Sequence, residues 1–194
     1  VDVPSSALTS INAPFVLQAV ADGDPDVDAI YRLSAPDTSD IQFCDREPLA
    51  LPVGTWSPFN SQATTWPREL LALMYLPTTC TFRMTDIWRS FVAQRLLPNL
   101  GATLIFTAPT VYQDRNVHDL LADFEQEIPG YLGTENIRAV LEATSTKGGS
   151  SNLLADLRLL YEALIRAGFL DETELPVLDA WIADVWRLES GSEE

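Results

Sequence analysis

The chain has 194 residues, 46% of them hydrophobic, and a formal net charge of −16 at pH 7. Those figures describe a globular chain able to build one good core and exclude a disordered or fibrous one. The acidic balance, with Lys147 the only lysine against eleven arginines, repels phosphate backbones and anionic lipid surfaces, so no nucleic acid partner and no membrane contact are expected from this chain.

Residues 1–14 read as an irregular arm, followed by a short apolar run from Phe15 to Val20. ADGDPDVD (21–28) is an acidic turn punctuated by Gly23 and Pro25. Asp28 leads into AIYRL, whose Ile and Tyr content predicts a strand. After a loop at 34–40, Ile41–Phe43 and LALPV (49–53) are further short strands. WPRELLALMYL (66–76) has apolar residues at helical spacing, with Pro67 in its first turn and Pro77 ending it. TTCTFRM (78–84), rich in β-branched residues, predicts a strand. Thr85 is then the N-cap of a helix that starts at Asp86 and buries Ile87, Trp88, Phe91, Val92 and Leu96. Pro98, Asn99 and Gly101 end that helix, and ATLIFT (102–107) is a buried, central strand.

Beyond Pro109 the pattern is helical. One helix is expected over 117–128 and a second from Thr134 to about Ala143. TSTKGGSSN (144–152) has the composition of a flexible hinge. Asn152 caps a helix over 153–167 that Gly168 ends, and a last helix opens at Thr173 or Glu174. Trp181 and Trp186 on that helix are expected in the core, and the tail SGSEE is expected to fray. The pattern divides into an α/β part over 1–130 and a helical part over 131–194. Cys44 and Cys80 make no metal motif and are expected to be buried free thiols. No apolar run reaches the ~20 residues of a membrane helix. Val1 is not followed by the basic stretch of a signal peptide. The first residue is not Met, so a processed product or part of a longer chain is expected.

Three polar clusters sit at the ends of regular elements, where α/β enzymes place their sites. The first is VGTWSPFNSQ (53–62). Gly54 lets backbone approach a ligand, Thr55 adds a hydroxyl, and Asn60, Ser61 and Gln62 carry donors and acceptors suited to a sugar or base edge. An ordinary turn is the plainer alternative. The second is RMTDIWR. Asp86 in a first helical turn is favoured by the helix dipole alone, or serves as a general base. Arg89, three residues on, could hold Asp86 ionised or meet a phosphate, and Arg83 could join it. The third is QDRNVHD, where His118, the only histidine, is either structural or a metal ligand with Asp114 or Asp119 nearby. No serine or cysteine stands in a nucleophile setting, so a hydrolase is not supported.

Four stretches in order, PDVDAIYRL, LPVGTWSPFNSQ, LPTTCTFRMTDIWRSFVAQRLL and TAPTVYQDRNVHDLLADFEQEIP, resemble the STELLO-type glycosyltransferases from about Asp24 to Trp186. A weaker likeness extends to the plant UDP-arabinopyranose mutases. The resemblance implies part of a GT-A-like nucleotide-sugar fold, with a mixed sheet and flanking helices, followed by a C-terminal helical region. It implies a nucleoside-diphosphate sugar donor, a glycan or other hydroxyl acceptor, and Mn²⁺ or Mg²⁺. It maps the glycine loop near donor and acceptor onto Gly54 and 60–62, and the catalytic base onto Asp86. The family's late metal-binding histidine falls nearest Gln113, with His118 as its substitute. Asp24, Asp26 and Asp28 have Asp-x-Asp spacing but fall in a later segment than the metal motif. The nucleotide-binding half is expected upstream, on a further domain or partner chain, which makes this chain the acceptor-side portion. A non-catalytic scaffold module derived from such a fold is the alternative. For a eukaryotic relative of these proteins the setting implied is the Golgi lumen.

Overall fold

The computed structural model describes residues 14–35 and 40–191. Most of the expected arm at 1–14, the middle of the 34–40 loop and the last three residues of the tail lie outside that range. Among the described residues four strands form one mixed sheet: β1 (Phe15–Gly23), β2 (Leu49–Ala50), β3 (Thr64–Thr65) and β4 (Thr103–Gln113), in the order β2-β4-β1-β3. β1 and β4 are parallel and pair from Phe15 opposite Thr103 to Gly23 opposite Gln113. The two short strands lie antiparallel on the outer edges.

β4 is central, as its apolar run predicts, but it continues through Pro109 to Gln113. The register with β1 slips between the pairs Ala19–Thr107 and Ala21–Val111. Pro109 therefore falls in a bulge, where its missing N–H breaks no ladder bond. Ile41 makes an isolated bridge with Gly23 instead of a strand.

Among the described residues there are five α-helices: α1 (Ala29–Ser34), α2 (Thr85–Leu96), α3 (Leu120–Ala143), α4 (Leu153–Arg166) and α5 (Glu174–Ser190). α1 replaces the strand expected from AIYRL. Asp28 accepts a hydrogen bond from Tyr31 N–H and caps a helix there, which outweighs β propensity in a segment with no strand partner. The 66–76 segment is a 3₁₀ helix over Arg68–Met74 that ends before Pro77.

The strand expected at 78–84 is also absent. Thr78 and Thr79 donate their backbone N–H groups to the carboxylate of Glu174, at 3.0 and 2.8 Å. That buried carboxylate takes the donors a β ladder would need, and Phe82–Met84 closes into a 3₁₀ turn. The turn runs directly into α2, so the helix starts at Thr85 itself, whose hydroxyl donates to Phe82 O instead of capping.

α3 joins the two helices expected on either side of Pro129 and runs through residue 130, the expected boundary between the two parts. Asp119 caps it by accepting from the N–H groups of Leu121 and Ala122. Gly130 and Gly133 are sites of close packing within it, because a Cβ there would lie 2.3 Å from Met84 Sδ and 3.2 Å from the Phe169 ring. One apolar core links both sequence parts through Val16, Phe91, Ile137, Leu160 and Leu178. The glycine-rich 144–152 stretch is tethered: buried Asp156 accepts from the N–H groups of Lys147 and Gly148, at 2.9 and 2.8 Å. Asn152 makes no side-chain cap bond to α4. Cys80 is half-buried, but Cys44 is exposed, against expectation. Trp181 packs against the core and donates to Ala72 O, whereas Trp186 is 58% exposed. No helix among the described residues is long and apolar enough to cross a membrane.

Candidate functional site

The start of α2, the 58–62 loop, the 26–28 segment and residues 127–135 of α3 enclose a cavity of about 680 Å³. Asp86 stands in its wall because the 3₁₀ turn delivers α2's first turn there. Its Oδ2 accepts the Ser61 N–H at 2.8 Å, and Oδ1 takes no hydrogen bond among the described residues. One oxygen thus fixes the orientation of the carboxylate.

The 60–62 loop is held from beneath. Buried Gln18 on β1 donates to Gln62 O at 2.7 Å and accepts from Thr64 Oγ1 at 2.9 Å. Asn60 Oδ1 accepts from Gln62 N–H at 3.1 Å, and Gln62 Oε1 from Asp26 N–H at 3.3 Å. The amide nitrogens of both side chains remain unengaged among the described residues, so the loop offers donors to the cavity. Ala63 closes the loop with φ 49°, in the left-handed region.

Arg89 does not face the cavity. It is 2% exposed, and its guanidinium lies 5.4 Å from the Phe59 ring centroid and 4.9 Å from that of Trp66. It donates to Ser61 Oγ at 3.1 Å and, from Nε, to the Asp86 carbonyl at 3.4 Å. Burial lowers its pKa, with the charge of Asp86 working the other way. Arg89 therefore reaches the cavity only through the loop it supports.

The opposite wall was not singled out in the sequence. Glu127, 7% exposed, accepts Ala29 N–H at 2.8 Å, and Tyr131 OH is shared between Glu127 at 2.8 Å and Asp28 at 3.1 Å. Burial, then Glu127, pushes the Tyr131 phenol well above its ordinary range, so it stays a donor. Glu127, Tyr131 and Glu135 recur at i, i+4, i+8, a signal hidden when α3 is divided at Pro129.

Gly54 and Thr55 lie elsewhere, lining a second hollow of about 270 Å³ with Trp56, Gln94, Arg95 and Glu142. Gly54 and Asn60 are six positions apart, a reach of up to ~20 Å, and buried Phe59 anchors the chain in between. Contiguity in sequence therefore does not bring the two ends to one place.

Arg83 lines the main cavity but is engaged. It pairs with Asp123, reaches Asp26 at 3.3 Å and lies 3.4 Å from His118 Nδ1. Burial works against its charge, yet Asp123, Asp26 and Glu127 together raise its pKa. His118 Nδ1 sits 3.2 Å from Asp123 Oδ2. These donors do not suit the Mn²⁺ or Mg²⁺ that the resemblance implies. Asp24 pairs with Arg32, Asp26 with Arg83 and Arg115, and His118 shares its only carboxylate with a guanidinium. Among the described residues no group of three or more His, Cys, Asp or Glu side chains could hold a metal ion.

A mixed sheet flanked by helices, with a cavity at the start of a buried helix, is consistent with part of a GT-A-like fold. The sequence agrees. Residues 83–190, more than half of the chain, match the STELLO glycosyltransferases, and the chain belongs to that family. It is 28% identical over 175 residues to "Probable glycosyltransferase STELLO2" and 27% identical over 175 residues to "Probable glycosyltransferase STELLO1", both of Arabidopsis thaliana. Each match covers 88% of this chain and 22% of the relative, so the chain spans about a fifth of the length of these proteins.

Proposed function

We propose that the main cavity seats the hydroxyl acceptor of a glycosyl transfer from a nucleoside-diphosphate sugar, with Asp86 as the base. The observation that carries this is the Asp86 carboxylate in the cavity wall, with one oxygen pinned by Ser61 N–H and the other without a hydrogen bond among the described residues. In the step envisaged, the acceptor hydroxyl gives its proton to Asp86 Oδ1 as its oxygen bonds to the anomeric carbon. The bond to the nucleoside diphosphate breaks, and the diphosphate leaves with the electron pair. Asn60 and Gln62 orient the acceptor through their free amide N–H groups. Arg83, the only cation of the cavity wall among the described residues, is already paired with carboxylates, so the leaving diphosphate is bound by groups outside this cavity.

Asp86→Asn in the full native protein tests the role. The amide oxygen can still accept from Ser61 N–H, so fold and nucleotide binding should persist while turnover falls ~10²–10⁴-fold. Unchanged turnover rejects Asp86 as base. A scaffold without turnover is the competing reading, favoured by the lack of an unpaired cation in this cavity. It requires that the native protein transfer nothing from any donor.

A further inference from the structure

We infer that the acceptor taken by the main cavity is a neutral sugar, and that sugars carrying a carboxylate are excluded from it. The inference rests on the acceptor reading above and adds the substrate class. Five acidic side chains line the cavity, Asp26, Asp28, Asp86, Glu127 and Glu135, against the single base Arg83. The guanidinium of Arg83 is offset by Asp123, outside the cavity wall, and by Asp26 within it. Arg115 and Arg138, outside the wall, pair with Asp26 and Glu135, whereas Asp28, Asp86 and Glu127 have no salt-bridge partner among the described residues. The field inside the cavity is therefore net negative, and low-dielectric walls strengthen it.

The rest of the lining suits a neutral, hydroxyl-rich ligand. The Asn60 and Gln62 side chains offer amide N–H donors, and Asp86 Oδ1 offers an acceptor, so a hydroxyl can both give and receive a hydrogen bond. Phe82 stands in the wall with 82% of its surface exposed, on the tight 3₁₀ turn that leads into α2. An aromatic face held there has no partner in the core, and it fits the apolar face of a pyranose ring. A uronate bound in the same pose would bring a carboxylate among carboxylates with no free guanidinium to meet it.

The test uses the full native protein and three probes of matched shape. They are a neutral glucosyl disaccharide, the same disaccharide ending in glucuronate, and its uncharged glucuronamide. Binding is measured by calorimetry at about 0.1 M and about 1 M salt, where the screening length falls from ~10 Å to ~3 Å. The neutral sugar and the amide should bind alike. The uronate should bind at least tenfold more weakly at low salt, with the gap narrowing at high salt. Equal binding of the uronate overturns the inference and leaves the acceptor site standing. A uronate deficit shared by the amide, or unmoved by salt, also overturns it, because the exclusion would then be steric. Absence of binding by all three overturns the acceptor reading itself. Phe82→Ala should weaken the neutral sugar and the amide by the same factor; no loss removes the stacking part of the inference.

Discussion

The guanidinium of Arg89 rests against Phe59 and Trp66, and its donors run to Ser61 and the Asp86 backbone. Spacing sets Arg89 next to Asp86 along the helix, but helical periodicity cannot say which of two neighbours faces solvent when a helix is buried nearly all round, as α2 is. Arg89→Met keeps the apolar stem and removes the buried charge. Its unfolding free energy in urea should stay within ~1 kcal/mol of the parent. Turnover should fall ~10-fold as the 60–62 loop loosens. A large loss of stability with full activity would contradict the positioning role. The cysteines behave oppositely to one another. Burial, then the charge of Glu174, pushes the Cys80 thiol from its ordinary 9.0 up to about 12. The unfolded chain therefore gives up that proton first as pH rises, so the thiol's contribution to stability is full below pH 9.0 and is lost towards pH 12. At pH 8 a thiol reagent should label the exposed Cys44 in the native protein and Cys80 only after unfolding. Two labels before unfolding would contradict the packing at 77–80.

At the scale of elements, the end of β1 decides how the acidic 24–28 segment reaches the cavity. Gly23 has φ +88°, and a Cβ there would lie 2.6 Å from both Gln113 O and the Tyr112 ring. Gly23→Ala should cost about 2–4 kcal/mol in thermal or chemical denaturation, from left-handed strain and collision with backbone. A change below ~0.5 kcal/mol would show that the strand end is free to move. The elements that sequence pattern found include β4, α2, α4 and α5, whose apolar residues fall where they are buried. The misread ones were settled by distant groups. Glu174, some 95 residues away in the chain, takes the N–H groups of Thr78 and Thr79 and prevents a strand. Pro129 reads as a break, yet a proline removes only one bond of a long helix, and Gly130 and Gly133 are needed for contact with Met84 and Phe169.

Across the whole molecule, three polar clusters at element ends were expected to meet in one hollow. Asn60, Ser61, Gln62, Arg83 and Asp86 do line one cavity. Gly54 and Thr55 line another, and His118 joins the rim only through Arg83 and Asp123. The half of the site on α3 had no motif to mark it, because Glu127 and Tyr131 gain meaning only once α1 packs against that helix and brings Asp28 within 3.1 Å. Position along a chain locates a cluster to its element. The distance between elements follows from packing, which local pattern does not contain. The most direct measurement is hydrogen–deuterium exchange of the full native protein with and without a saturating neutral oligosaccharide acceptor. Protection should appear in peptides covering 58–62, 82–87 and 127–135. Protection confined to 51–56 and 94–104, around the second hollow, would contradict the assignment of the acceptor to the cavity that holds Asp86.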